Sequence, residues 1–374
     1  MRRRDLLLAA VSYAAAPGQP RPKGSEKPKE WVTAAASRDT APRVGLIPST
    51  FTGGEEMDGR KIRALAMPAP LDAPLSAAQW DDMLRLAVEL GGGRRGGLVT
   101  AVRPDDWVVI KTCVRGVPPG AAGWSPAMVT DPRLVSSLLR YLTERKLGRR
   151  FSIVAGPPYR GPWDLPWNSN FDGAGYRAII DALAKAHPAL RFELIDLNTA
   201  PSLEMPVEGR FFASRNSRGV YHVPRVLREC DKVISIAPLA TAPDVGASLT
   251  ILNYLGFGPG EQYGYPKRRL LELGRAGEVA LDLFSFHPAD YAIAGGPFAG
   301  EAGAGTRRHN VLVAGTNAPA VDAVGAAVMG LDSAATPYLD LAVQRGYGVA
   351  DSYSIWTRGV EIDEVKSSFR VAAA

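Results

Sequence analysis

The sequence predicts an α/β protein with a three-layer, mostly parallel sheet whose strands are joined by crossover helices. From Trp107 onward, short runs rich in β-branched residues alternate with amphipathic segments of helical length. Parallel neighbours need such long return connections, so the alternation favours a parallel sheet of the Rossmann-like kind. The predicted strands are 108–113, 151–155, 191–196, 232–237, 290–294 and 310–314. The predicted helices are 132–146, 175–187, 224–229, 277–286, 318–329 and 337–345.

The region before this alternation has a mixed pattern that predicts one clear helix. Ser76 is a suitable N-cap, and apolar residues follow it at helical spacing from Trp80 to Leu90. A run of three glycines at 91–93 ends this helix. We therefore predict an N-terminal extension over residues 44–104 that packs on an α/β domain over residues 105–374.

The first sixteen residues, 1–16, predict an export signal. Three consecutive arginines at 2–4 precede an apolar stretch over 6–16 that ends in small residues, which is the order typical of such signals. The arginines followed by leucines resemble a twin-arginine signal, and a general secretory signal, an uncleaved leader and a plain basic terminus are the alternatives. The stretch is shorter than the roughly 20 residues that a membrane-spanning helix needs. We expect an exported protein, periplasmic or extracellular, with no stable membrane anchor.

The net charge of +6 is concentrated near the N-terminus. Residues 1–43 hold nine Lys or Arg against four Asp or Glu, so the remaining chain is nearly neutral. A protein that binds a phosphate backbone needs a basic face, and we therefore expect no nucleic-acid partner. Residues 17–43 are rich in Pro, Lys, Ala and Ser and poor in large apolar side chains, which predicts a disordered linker.

Cysteine and histidine usage restricts the metal cofactors. The chain has two cysteines, Cys113 and Cys230, and an iron-sulfur cluster takes four thiolates, so we expect no such cluster within this chain. Both lie beside apolar strand-like runs and are predicted to be buried and reduced, with a disulfide as the alternative. The four histidines share no helical face, so no metal site is predicted. No phosphate-binding glycine motif or Gly-x-Ser-x-Gly elbow is present in the sequence, and the cofactor stays unknown.

Seven short motifs occur in order along the chain: Val-Ile-Lys-Thr (109–112), Thr-Asp-Pro-Arg-Leu-Val (130–135), Cys-Asp-Lys-Val-Ile (230–234), Leu-Thr-Ile-Leu-Asn-Tyr-Leu-Gly (249–256), Gly-Gly-Pro (295–297), Asn-Ala-Pro-Ala-Val-Asp-Ala-Val (317–324) and Met-Gly-Leu-Asp (329–332). Their order resembles the DUF362 family, a domain of unknown function, over about residues 105–360. The resemblance implies redox or anionic small-molecule chemistry, often with ferredoxin-like clusters, whose cysteines this chain lacks. The family's Lys-Thr-His triplet after the fourth strand reads Ala240-Thr241-Ala242 here, so a cation and an imidazole are missing.

Candidate site residues follow the predicted strands, where ligands of parallel sheets bind. Lys111 ends an apolar strand and predicts a cation for a carboxylate or phosphate, with a lysine on the sheet rim as the alternative. Asn253 lies in an apolar run, so its amide needs a protein or ligand partner. A turn at Gly295, Gly296 and Pro297 would offer backbone N–H groups to an anion, with a plain tight turn as the alternative. We predict Lys111 as catalytic and the other four residues as ligand-binding.

Asp322 is the second predicted catalytic residue. It lies in the first turn of a helix capped by Asn317, where the helix dipole stabilises a carboxylate whatever else it does. We expect Asp322 to face the cleft beneath the Gly295–Pro297 turn, because the apolar positions of the helix should face the core. A purely structural role is the alternative. The apolar positions are Val321, Val324, Ala327 and Val328.

Two further polar residues and one loop are weaker candidates. Asp131 precedes a proline and suits a helix cap as well as a site. His222 is another polar residue that would reach a strand end. The aromatic loop 159–168 holds two tryptophans with an arginine and an aspartate, which fits either a lid over a substrate or a packed surface loop.

These observations predict an exported, enzyme-like α/β protein that binds a small anionic molecule at the carboxyl ends of its strands. The alternative is a non-catalytic binding or accessory protein on the same fold. The changed triplet at 240–242 and the scarcity of groups that titrate near neutral pH favour this alternative. Convergence of Lys111, Asn253 and Asp322 in one pocket would favour the enzyme.

Overall fold

The computed structural model describes residues 41–54, 56–57, 60–92, 97–115, 124–159, 174–207, 213–302 and 305–371. The predicted export signal, residues 17–40 of the predicted linker and all of the aromatic loop except Tyr159 lie outside these residues. Within them, no helix is both long enough and apolar enough to cross a bilayer.

The main element is an eight-stranded sheet, whose strands are β1 Arg43–Pro48, β4 Trp107–Thr112, β5 Arg150–Ala155, β6 Arg191–Asp196, β9 Lys232–Ala237, β12 Tyr291–Glu301, β13 Gly305–Gly315 and β14 Trp356–Gly359. Their order across the sheet is β14-β1-β13-β12-β9-β4-β5-β6. Seven of these strands run in one direction, and β13 alone among them runs antiparallel to its neighbours β1 and β12. The prediction of an α/β fold with a mostly parallel sheet is confirmed. The remaining pairs are β2 Glu56–Met57 with β3 Arg60–Lys61, β7 Ser202–Pro206 with β8 Val220–Pro224, and β10 Thr241–Ala242 with β11 Gly246–Ala247.

Helices cover both faces of the sheet. Along β4 and its neighbour β5, successive side chains enter different hydrophobic clusters, because strand residues point alternately to the two faces. Val109 and Val154 belong to one cluster, while Ile110 and Ile153 belong to the other. The α-helices are Ala77–Leu90, Leu98–Ala101, Pro132–Glu144, Tyr176–Ala186, Arg225–Glu229, Gly260–Tyr263, Arg268–Leu271, Ala276–Ser285, Ala318–Val328, Pro337–Gln344 and Ile362–Val365. The 3₁₀ helices are Pro126–Met128, Leu252–Phe257, Ser333–Ala335 and Ser352–Ser354.

Local sequence signals explain several helix starts. Ser76 accepts a hydrogen bond from the Gln79 backbone in a capping box, as the sequence predicts. Asn317 likewise accepts from the Ala320 backbone and caps the helix Ala318–Val328. The predicted extension over residues 44–104 contributes β1 to the main sheet, where it pairs with β13 and β14.

The order in which the chain adds strands to the sheet changes sides at β4. From β4 it proceeds through β5 to β6 on one side, and β9 is then added on the other side of β4. The gap between the carboxyl ends of β4 and β9 is therefore a topological switch point, where α/β sheets most often bind their ligands.

The glycine turn predicted at 295–297 is wrong. Gly295, Gly296 and Pro297 lie inside β12, which pairs antiparallel with β13 and has a bulge between Gly296 and Phe298. The φ angle of Gly295 is 119°, and a Cβ there would lie 2.0 Å from the Val311 carbonyl oxygen. Glycine lets the two strands approach and bend at this point, so the strand continues where its composition predicts a turn.

Candidate functional site

A loop over residues 248–257 packs against the carboxyl ends of β4 and β9. Asn253 fixes this contact with its side-chain amide, which donates to the Lys111 carbonyl oxygen at 2.9 Å and to Ser235 Oγ at 3.1 Å. Its Oδ1 accepts from Lys111 Nζ at 2.9 Å. The buried amide therefore has the partners that its apolar surroundings require, and Asn253 joins the two strands at the switch point.

Lys111 is the charged residue near the carboxyl end of β4. Its side chain is buried, and Nζ donates to the Thr112 carbonyl oxygen at 2.7 Å as well as to Asn253. Burial disfavours the ammonium form and lowers the pKa of Lys111 to about 8. The structure thus brings Lys111 and Asn253 together, as the sequence predicts.

A second lysine, Lys267, approaches the same loop. Its Nζ donates to the Gly156 carbonyl oxygen at 2.8 Å and to the Gly256 carbonyl oxygen at 3.2 Å. Burial and the nearby charge of Lys111 hold the pKa of Lys267 well below its ordinary value of 10.5, while Asp196 opposes this in part. In the described part of the chain, neither lysine forms an ion pair with a carboxylate.

Sequence reasoning missed Lys267. In the sequence it is the first residue of Lys267-Arg268-Arg269, which is typical of a solvated loop or helix end. In the structure Lys267 is 6% exposed, whereas Arg268 and Arg269 are exposed. Because Lys267 precedes the short helix Arg268–Leu271, no periodicity marks it as buried. Only its nearness in sequence to the 249–256 motif could have suggested a role.

The two lysines line one cavity of about 320 Å³, which we call the lysine cavity. This volume lies within the range of small-molecule sites, roughly 300–1,000 Å³. Asn253, Gly156 and Gly256 also line it, and Arg115 and Arg268 contribute further positive charge. Most of the remaining wall is apolar and is formed by Val114, Pro158, Leu249, Leu252, Leu255 and Leu270.

Two glycines make this arrangement possible. A Cβ on Gly256 would lie 2.7 Å from Lys111 Nζ, and a Cβ on Gly156 would lie 2.0 Å from the Gly256 carbonyl oxygen. The contact at Gly156 is with backbone, so this position needs glycine for the loop to reach the strand end, whereas the contact at Gly256 is with the flexible end of a lysine side chain, which would have to move. Both lysines approach Gly256: the end of the Lys111 side chain lies beside its Cα, and Lys267 Nζ donates to its carbonyl oxygen.

Asp322 does not line the lysine cavity. It is fully buried, and its Oδ1 accepts from Thr250 N at 2.9 Å and from Thr250 Oγ1 at 2.5 Å. Its Oδ2 accepts from Ile251 N at 3.0 Å and from the Tyr338 hydroxyl at 3.1 Å. Burial raises the pKa of Asp322 to about 6, although each of these bonds lowers it. The expectation that Asp322 faces the cleft is wrong, because four protein donors enclose the carboxylate beneath the loop.

The other predicted site residues lie elsewhere. Gly295, Gly296 and Pro297 line a small depression together with Asp131, away from the lysine cavity. Asp131 caps the helix Pro132–Glu144 by accepting from the Arg133 backbone at 2.9 Å. His222 lies on β8, with its Nε2 3.7 Å from Glu204. The roles predicted for these residues stay predictions, without support from the cavity.

Both cysteines are buried and unbonded, as predicted. Cys113 follows β4 and contributes to the wall of the lysine cavity. Cys230 packs beside His287, with Sγ 3.7 Å from Nδ1. Across the described residues, no group of three or more His, Cys, Asp and Glu is arranged to hold a metal ion.

The structure defines an α/β protein with a cavity at the carboxyl ends of its central strands. The sequence matches the family described as "Domain of unknown function (DUF362)" over residues 108–327. Since this match spans more than half of the chain, the protein belongs to the DUF362 family. No curated protein matches the sequence.

One solved structure with similarity to this chain is "Structure of the lactate racemase apoprotein from Thermoanaerobacterium thermosaccharolyticum". The two chains share 13% sequence identity with a TM-score of 0.38. The match covers 63% of this chain and 52% of that chain, so it spans about half the length of the racemase.

Proposed function

We propose that this protein binds a small organic carboxylate with an apolar body in the lysine cavity. One observation carries the proposal: two buried lysines, Lys111 and Lys267, line an otherwise mainly apolar cavity and have no carboxylate partner among the described residues. The position at the topological switch point between β4 and β9 also supports it. The apparent export signal supports a site of action outside the cytoplasm.

Charge and hydrogen-bond counts favour an anion as the occupant. Burying a cation is costly unless it is paired, and a bound carboxylate would supply the missing charge. As an ammonium group, Lys111 has three N–H donors and uses two of them on protein oxygens. Its third donor is left for one oxygen of a ligand carboxylate. Lys267 Nζ also has two protein acceptors, so its amine keeps one position for the ligand in either protonation state.

The site also suits proton transfer, which supports an enzyme-like role. Burial lowers the pKa of Lys111 to about 8, so that both protonation states are accessible near neutral pH. The placement of Asp322 outside the cavity favours the second candidate function, a non-catalytic binding or accessory protein. Both candidates share the anion site and are distinguished only by turnover.

Calorimetric titration with three ligands of similar shape tests the proposal. We expect phenylacetate to bind more tightly than the neutral phenylacetamide and the cationic phenethylamine. Lys111→Met should weaken phenylacetate binding about tenfold to a hundredfold, because a hydrogen bond to a charged group is worth about 1.5–3 kcal/mol. Lys185→Met, at an exposed helix position, is the matched control and should bind like the parent. Equal affinity for phenylacetate and phenylacetamide would contradict the proposal.

A further inference from the structure

The two lysines of the cavity differ in their surroundings, and this difference indicates what they do to a ligand. Resting on the anion site proposed above, we propose that Lys267 is a nucleophilic amine that forms an imine with the carbonyl group of a small 2-oxo acid, while Lys111 binds its carboxylate. The arguments are the hydrogen bonds of Lys267, its electrostatic surroundings and the common approach of both side chains to Gly256.

The hydrogen bonds of Lys267 fit a neutral amine. A neutral amine has two N–H donors and one lone pair, and Nζ has two backbone acceptors, the carbonyl oxygens of Gly156 and Gly256. Once both N–H groups are used, the lone pair remains for a ligand. Because Lys267 lines the lysine cavity, a molecule that occupies the cavity would lie next to this residue.

The charges around Lys267 favour the same protonation state. Burial is the main cause that lowers its pKa, and the charge of Lys111 is the second. A lysine becomes a nucleophile at neutral pH when it is desolvated or lies next to another cation, and Lys267 meets both conditions. Asp196 acts in the opposite direction, but burial raises the pKa of Asp196 to about 7, so its negative charge is only partly present at neutral pH. Arg115 and Arg268 add positive charge to the same cavity.

Lys111 is the better anchor for the anion. Its pKa of about 8 leaves it mostly protonated at neutral pH, and its ammonium group has one N–H donor beyond those given to the Thr112 carbonyl oxygen and Asn253 Oδ1. Both side chains reach Gly256, so their amines are available to neighbouring groups of one compact ligand. In a 2-oxo acid the carboxylate and the carbonyl carbon are bonded to each other. This ligand class therefore matches an anion anchor and a nucleophile that share one glycine.

The covalent step needs no oxidant or reductant. The Nζ lone pair of Lys267 attacks the carbonyl carbon and forms a C–N bond. The carbonyl oxygen leaves as water with one amine proton and one proton from solvent, which gives a protonated imine. The remaining N–H continues to donate to Gly156, which is the shorter of the two contacts of Nζ at 2.8 Å. The ammonium group of Lys111 stays on the carboxylate throughout.

Borohydride trapping tests the inference on the whole protein. We expect phenylpyruvate with sodium borohydride to give one reduced adduct per chain, with peptide mapping placing it on Lys267. Lys267→Met and Lys267→Arg should give no adduct, since a methionine has no amine and a guanidinium is not a nucleophile at this pH. Lys111→Met should lose most of the adduct because the carboxylate is no longer held. Lys185→Met should be trapped like the parent.

Parallel binding of phenylacetate separates this inference from the proposed function. If phenylacetate binds and phenylpyruvate leaves no adduct on Lys267, the imine is excluded while the anion site stands. An adduct on Lys111, or equal labelling of exposed lysines, also overturns the assignment. If neither compound binds and no adduct forms, the anion site itself fails, and the inference fails with it. Mapping on the parent protein decides the assignment even if a variant does not fold.

Discussion

Two buried polar clusters hold the loop over residues 248–257, and they differ in how their charge is matched. In the first, the Asp322 carboxylate accepts from four protein donors supplied by Thr250, Ile251 and Tyr338. In the second, Lys111 and Lys267 donate only to neutral oxygens of described residues. The first cluster is closed, whereas the second opens onto a cavity.

This difference is the basis on which we propose that Asp322 belongs to the scaffold and the two lysines to a ligand site. A buried ion that its own protein surrounds with hydrogen bonds gains nothing from a ligand. A buried cation without a counter-charge is destabilised by the loss of its hydration, and a bound anion would reduce this cost. Burial and an altered pKa are common to both clusters and do not distinguish them. The clusters differ in whether the protein fills their hydrogen-bonding capacity and in whether they line a cavity.

The largest expected effect is the loss of stability in Asp322→Ala. The change leaves two backbone N–H groups and two hydroxyl groups without their acceptor in a buried position. Since each such group costs about 1–3 kcal/mol, partly offset by relaxation, we expect the free energy of unfolding to fall by about 4 kcal/mol. Urea unfolding measures this change.

Asp340→Ala is the control for this variant. Asp340 is an exposed acid in the first turn of the helix Pro337–Gln344, and its removal should cost no more than about 1 kcal/mol. The folded Asp322→Ala protein should keep its affinity for phenylacetate. Unchanged stability together with lost binding would instead return Asp322 to the site.

The sequence pattern of the helix Ala318–Val328 did not predict the direction in which Asp322 points. The sequence correctly predicts the helix Ala318–Val328 and its Asn317 cap. Its apolar stripe cannot orient the helix, however, because the helix is buried on nearly all sides, with Asp322 among the buried residues. A helix that contacts the sheet, the loop and its neighbours has no single core face. Only the tertiary contacts decide whether an acid at such a position faces a cleft or a backbone donor.

The sequence predicted two of the polar residues that line the lysine cavity and missed a third. Lys111 and Asn253 could be found because each interrupts an apolar run, and a polar residue in such a run needs a partner. Lys267 lies outside any periodic element, and its burial depends on contacts with Gly156 and Gly256, which are distant along the chain or across a loop. The alternation of strand and helix signals predicted the class of the sheet. It did not predict the antiparallel pairing of β12 with β13, because Gly295 and Gly296 suggest that the strand ends there, whereas β12 continues through them to Glu301.

The second expected effect is a pH-dependent gain in stability that requires Lys111. Its pKa is about 8 in the folded protein and near 10.5 when exposed. Between these pH values Lys111 binds more protons in the unfolded chain than in the folded one, so its contribution to the free energy of unfolding should rise with pH, by about 3 kcal/mol at most. Below about pH 8 this contribution is absent because the buried ammonium must be accommodated.

Urea unfolding from neutral pH to above pH 10 measures this dependence. The quantity compared is the difference in the free energy of unfolding between Lys111→Met and the parent, because Lys267 and the buried tyrosines contribute their own pH dependence to both proteins. Lys111→Met should be the more stable protein at neutral pH, and this advantage should shrink toward pH 10, whereas Lys185→Met should follow the parent. A difference that does not change with pH would show that a counter-charge already matches Lys111. In that case the contrast between the two clusters disappears.

The smallest expected effect concerns Gly256, where a methyl group would displace a lysine without unfolding the loop. The backbone of Gly256 lies outside the left-handed region, so alanine is sterically allowed there apart from its contacts with Lys111 Nζ and Cε at 2.7 and 2.8 Å. These atoms are the flexible end of a side chain, and we expect Gly256→Ala to cost only about 1 kcal/mol of stability. Movement of the ammonium group should weaken phenylacetate binding about tenfold, which corresponds to about 1.4 kcal/mol. Gly300→Ala is the control for an added methyl group, because a Cβ there makes only ordinary contacts, with two alanine side chains at 3.4 Å and with Arg115 Nη2 at 3.6 Å. If Gly256→Ala instead unfolds the protein easily and keeps its affinity, the lysines are part of the scaffold, as Asp322 is.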